Sequence, residues 1–236
     1  MLRKLLLIYG ILSSLLYVAI NILVPMAWDG YNAVSQTVSE LSAIGAPTRP
    51  LWLWLVIPYT LLSIAFGCGV WLSGERNRPL RIVGGLLIVN GVIGIFWPPM
   101  HLRGAEFTWT DTLHIVFSIV TVVIFMLEIG FGAAAFGKRF RFYSIATMIV
   151  MIGFGMLTAF DAPRIAANLP TPWIGVWERI SIGAYVVWVM ALAAALLRAP
   201  AASPKLTLVR GFSPIRDASH RRRNPDTQPA LSRGRF

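Results

Sequence analysis

The chain is written as long apolar runs interrupted by short polar segments. A helix needs about 20 residues to cross the hydrocarbon core of a bilayer. Six runs reach that length, at about 5–27, 51–74, 80–98, 111–136, 142–160 and 173–197. The pattern predicts an all-α polytopic membrane bundle of six transmembrane helices over residues 1–198. The first run follows Met1-Leu2-Arg3-Lys4, as a secretory signal would. Its apolar stretch, Leu5 to Val24, is far longer than a signal core and no convincing small-x-small cleavage site follows it, so it reads as a retained span.

The breaks between runs are of two kinds. Three are short or basic, around Arg76–Arg81, around Lys138–Arg141 and at the chain start. The others, 28–50, 99–110 and 161–172, are longer and hold most of the acids. In the first of these, Val34, Val38 and Leu41 recur at helical spacing, Thr37-x-x-Glu40 fits a capping box, and Ala-Ile-Gly-Ala-Pro stops the pattern. A short amphipathic helix on or in the leaflet is the expectation. Thr108-x-x-Asp111 is a second capping box, opening the fourth run, and the helix macrodipole favours an acid there.

Composition sharpens the membrane reading. Charged residues make up 13% of the 236, against about 25% for a soluble domain. The single cysteine, Cys68, excludes an intramolecular disulfide and any cysteine-based metal site. The formal net charge of +11 raises nucleic acid as a partner, but the bases sit at span ends and in the tail, where membrane orientation explains them better. Seventeen of the 21 Lys and Arg fall on one side of the alternating map, with only Arg49, Arg103, Arg164 and Arg179 on the other. The positive-inside rule then puts both termini in the cytoplasm, within the cell inner membrane. Trp28, Trp52, Trp54, Trp97, Trp109, Trp173 and Trp177 fall at the outer span ends, as interfacial anchors do. Residues 199–236 mix Pro, Ser and Arg without apolar periodicity and read as a disordered basic cytoplasmic tail. Its partner would be anionic lipid headgroups. No nucleic acid is expected.

The candidate chemistry gathers on the outer side. Ser39, Glu40, His101, Asp111, His114, Asp161, Arg164, Glu178 and Arg179 would form a polar vestibule at the mouth of the bundle. Asp111 and His114, three apart on one helix face, are expected to pair. His101, Asp111 and His114 are the residue types of an open zinc site, although no motif calls for a cofactor. Ser39 with His114 and either Asp111 or Glu40 would be the parts of a serine hydrolase. Asp161 with Arg164, and Glu178 with Arg179, read as outer salt bridges or as anion sites. Two further candidates lie within spans: Glu128, where an acid costs about 2.5–3.5 kcal/mol on insertion scales, and Asn90, a candidate partner at similar depth. Gly84, Gly85, Gly91 and Gly94 would let helices approach closely.

The segments YNAVSQTVSELSAIGAP, WPPMHLRG and TDTLHIVF make the chain resemble the bacterial and archaeal membrane family catalogued as domain-of-unknown-function family 998. The resemblance covers about residues 5–197, and its best mark is Ser39-Glu40-Leu41. It implies a six-span inner-membrane protein and supplies no activity. The resemblance departs from the pattern of many members at two positions: they have an Asp where this chain has His101, and a His where it has Thr110. The expected function is binding of a lipid or small amphiphile at the outer vestibule. The alternatives are a metal-dependent lipid hydrolase using Asp111 and His114, and a proton-coupled transporter acting through Glu128.

Overall fold

A computed structural model describes residues 1–199; the basic tail lies outside the described residues. Six helices follow one another: α1 Leu2–Met26, α2 Arg49–Ser73, α3 Arg78–Ile95, α4 Trp109–Ala135, α5 Lys138–Ala166 and α6 Ile174–Arg198. Each is long and apolar enough to cross a membrane. The described residues contain no strand, only an isolated parallel bridge between Ile44 and His101. The protein is an all-helical, multi-pass integral membrane protein.

Consecutive helices pack side by side and α6 returns against α1, closing a ring. The core is drawn most heavily from α6, where Tyr185, Trp188, Val189, Leu192 and Leu196 recur every three or four residues and are all buried. Trp188 is fully buried and donates its indole N–H to Ser144 on α5 at 2.9 Å, so the largest core side chain has its polar atom satisfied. Lipid-facing positions remain apolar: Ile119, Val123 and Ile149 are all exposed, which in a bilayer is burial in acyl chains.

Small residues set the α2–α3 seam. A Cβ on Gly84 would overlap the backbone nitrogen of Trp71, and one on Gly91 would overlap Ile64. Gly85 and Gly94 also face α2, so all four glycines serve packing within the chain. At this end of the molecule Arg81 lies over the Trp71 ring, 4.8 Å from its centroid. Asn77 caps α3 by accepting from the Leu80 N–H, and its amide donates to the Ala135 carbonyl that ends α4. This is the basic end of the bundle.

Two segments depart from the sequence reading. Helix α5 extends to Ala166 and takes in the Asp161–Arg164 segment expected as loop. Hydropathy marks where side chains leave lipid, whereas the backbone ladder continues past that level. The segment 28–48 forms no amphipathic helix, only a 3-10 turn at Ser39–Ser42. The carbonyls of Ala33, Ser35, Gln36 and Thr37 are taken by the side chains of Arg179, Arg103 and Tyr31. Carbonyls engaged in this way do not serve an i to i+4 ladder, and side-chain competition of this kind opposes helix formation.

Candidate functional site

The segment 28–48 folds over one end of the bundle as a cap, and three side chains from elsewhere in the chain fasten it. The first is Arg103, in the loop between α3 and α4. Its Nε donates to Glu40 Oε1 at 2.7 Å and its Nη2 to Glu40 Oε2 at 3.0 Å, a two-point clasp on a carboxylate with no solvent exposure. Thr37 adds its amide and hydroxyl to the same carboxylate, at 2.8 and 3.1 Å. The expected capping-box contact is thus present without the helix it normally opens. Glu40 holds the Arg103 proton more firmly than a free guanidinium would, because it accepts directly from the charged form.

The second and third fasteners stand on α6. Glu178 accepts from the Val38 amide and from Ser39 Oγ, the latter at 3.3 Å. Arg179 donates from Nη1 to the carbonyls of Ala33, Gln36 and Gly175, at 2.7, 3.1 and 3.0 Å. Its Nη2 donates to the Tyr31 hydroxyl, which donates in turn to the Thr37 carbonyl at 2.7 Å. Burial pushes the Tyr31 phenol up to about 12, against the lowering effect of the Arg179 cation. Gly175 is required at the contact: a Cβ there would overlap the carbonyls of Gln36 and Ala33. Glu178 and Arg179 are therefore not a salt bridge with each other. Each binds the cap.

Asp111 is buried at the start of α4 and is surrounded by donors. It accepts from the His101 amide at 2.7 Å, His101 Nδ1 at 2.9 Å, the Thr108 amide at 2.8 Å and the Thr108 hydroxyl at 2.9 Å. The capping box is formed as its spacing implied. The partner of Asp111 is His101, not His114. His114 turns to the loop instead: its Nδ1 donates to the Pro98 carbonyl at 2.8 Å, and its ring meets Trp97 edge-on at 5.4 Å. A carbonyl only accepts, so Nδ1 carries the proton. His101, Asp111 and His114 do not surround a common point, and among the described residues no group of three His, Cys, Asp or Glu is placed to hold a metal ion. Ser39 bonds Glu178 rather than a histidine, so the hydrolase constellation is not assembled.

Among the remaining candidates, Arg164 is exposed and donates to the Pro170 carbonyl at 2.8 Å, and it makes no ion pair with Asp161. Glu128 is fully buried and accepts from the Tyr185 hydroxyl, not from Asn90. At 1.5 Å rise per residue, Glu128 lies about 28 Å down α4 from the capped end, whereas Asn90 lies about 8 Å from that end of α3. Asn90 lines a chamber in the bundle core together with Ser13, Ser14, Tyr59, Ser63 and Tyr185.

One residue absent from the sequence candidates stands apart. Arg49 opens α2 at the capped end, beside an apolar groove of about 400 Å³ formed with Pro50, Leu53, Trp54 and Ile57. It forms no ion pair among the described residues, and its shielded Nη1 finds no acceptor there. The sequence signal was present: the first turn of α2 holds a base and no acid, against the helix macrodipole.

The family model described as "Protein of unknown function (DUF998)" matches residues 11–195. The chain belongs to the DUF998 family. The match runs from within α1 almost to the end of α6, so the six-helix ring and its cap together are the unit this DUF998 protein shares with the family. No curated protein and no solved structure matches the chain.

Proposed function

We propose that this DUF998 protein is a non-enzymatic binder of an anionic lipid, held at the capped end with its headgroup on Arg49 and an acyl chain along Leu53, Trp54 and Ile57. The observation that carries the reading is the unpaired Arg49 guanidinium above an apolar groove. A shielded guanidinium nitrogen without an acceptor is unfavourable, and the Arg49 guanidinium suits a phosphate. The apolar wall below suits a hydrocarbon chain. The vestibule residues support the reading by exclusion, since Glu40, Asp111, Glu178 and Arg179 bind the protein's own loops. On the charge distribution, the proposal includes cytoplasmic termini and a capped end on the outer face of the inner membrane.

The test is native mass spectrometry of the purified protein with phosphatidylglycerol and with phosphatidylcholine. Phosphatidylglycerol is expected to be retained preferentially. A charge-assisted hydrogen bond contributes about 1.5–3 kcal/mol, so Arg49→Gln should weaken that retention roughly 10- to 100-fold. Trp54→Ala should weaken both lipids alike. Equal retention of the two lipids by the parent, or unchanged selectivity in Arg49→Gln, refutes the assignment.

A further inference from the structure

Membrane interiors tolerate polar groups only where each finds a partner. The core of this bundle holds several that do not. Glu128 accepts from Tyr185 on Oε2, while its Oε1 is buried with no hydrogen-bond partner among the described residues. Thr121 Oγ1, two turns earlier on the same face of α4, is also buried and unpartnered. On α1, Asn21 donates to the Tyr17 carbonyl, but its Oδ1 has no donor.

One of them, Glu128, is joined through Tyr185 to a polar chamber. The chamber lined by Ser13, Ser14, Tyr59, Ser63, Asn90 and Tyr185 measures about 20 Å³. A water needs roughly 10–15 Å³ by this measure and two to four polar partners, so the chamber suits one. Above it on α1, Tyr17 and Asn21 continue the polar file toward the cap, and Tyr17 lies against Tyr59 with ring centroids 5.1 Å apart. Tyr185 both lines the chamber and donates its hydroxyl to Glu128. Phe125 stacks on its ring at 3.6 Å and holds it in place.

We propose that the chamber is a proton-exchange site, in which a held water passes protons through the Tyr185 hydroxyl to and from the Glu128 carboxyl. The step balances without a further reactant. A hydronium in the chamber gives a proton to the Tyr185 oxygen as the tyrosine's own hydroxyl proton moves to Glu128 Oε2. The tyrosine ends neutral, the carboxylate becomes a carboxylic acid, and water remains. The reverse movement restores the carboxylate. Among the described residues Tyr185 on α6 is the titratable group that bonds Glu128, Tyr59 on α2 lines the same chamber as Tyr185, and no basic side chain bonds Glu128. This site is separate from the Arg49 groove and does not depend on it.

The experiment is infrared spectroscopy of the full chain in lipid nanodiscs, transferred from H₂O to D₂O. A protonated carboxyl C=O band is expected in the parent, absent from Glu128→Gln, and shifting on deuteration within minutes. In Tyr185→Phe the band should move to higher wavenumber, because a hydrogen bond is lost, and its deuteration should slow at least tenfold. Ser63→Val, which fills the chamber and leaves Glu128 and Tyr185 in place, should slow deuteration similarly. The proposal is overturned if the parent has no band assignable to Glu128, if the band resists D₂O over hours, or if neither Tyr185→Phe nor Ser63→Val slows its shift.

Discussion

Removing Arg103 tests whether the cap is held by a buried ion pair or only rests on the bundle. In Arg103→Ala the Glu40 carboxylate, without solvent exposure, loses two charge-assisted bonds of 2.7 and 3.0 Å. It keeps the Thr37 amide and hydroxyl, which moderates the loss. Breaking a buried pair from one side costs about 3–5 kcal/mol, and the surviving Thr37 contacts place this case near 3. For a chain of this size about 1 kcal/mol moves Tm by roughly 2–4 °C, so the expected drop is roughly 6–12 °C. Intrinsic tryptophan fluorescence during heating in detergent measures it, and Trp28 within the cap cluster reports the segment concerned. The double variant Glu40→Gln/Arg103→Ala should recover part of the loss, with a coupling of at least about 1.5 kcal/mol. Because Glu40 is shielded, the loss should persist in 1 M salt, where the screening length is about 3 Å. A drop below about 3 °C, or one that vanishes in high salt, refutes the account of the cap as fastened by this pair.

Three other outcomes follow from the geometry. Asp111→Ala should destabilise the protein by about 2 kcal/mol or more, beyond His114→Ala, because it removes a helix cap and four accepted bonds whereas His114 contributes one; paired thermal melts give the order. Gly84→Ala should cost about 1–3 kcal/mol by pressing α3 against the Trp71 backbone, while Gly130→Ala, with open space around it, should be neutral or stabilising. Tyr31 has a folded-state value raised above 10, to about 12, so its contribution is complete below pH 10 and is lost as pH rises toward 12; Tyr31→Phe should flatten that part of the alkaline stability curve.

The positions of the spans were legible because the hydrocarbon thickness imposes a length and a composition on each segment independently of the others. Five of the six helices begin and end within a few residues of their apolar runs, and α5 overran only where the backbone ladder outlasts the lipid. The Thr108–Asp111 box was legible for a similar reason, since a capping motif is local to one turn.

Partner choice was not legible. The spacing of Asp111 and His114 put them on one face, but the loop carrying His101 and Pro98 passes between α3 and α4 and engages both residues separately. Arg103 gave no local sign of its role, because its partner stands 63 residues away. The same holds for Tyr185 and Glu128, 57 apart, which meet because α6 turns its buried face toward α4. Sequence alone therefore determined that this chain is a six-helix membrane protein with polar residues at one end, since local hydropathy and helix period decide that. Which polar groups satisfy one another, and that Arg49, Thr121 and one oxygen of Glu128 are left without a partner among the described residues, was decided by the tertiary packing, because hydrogen bonds depend on distance in space and not along the chain.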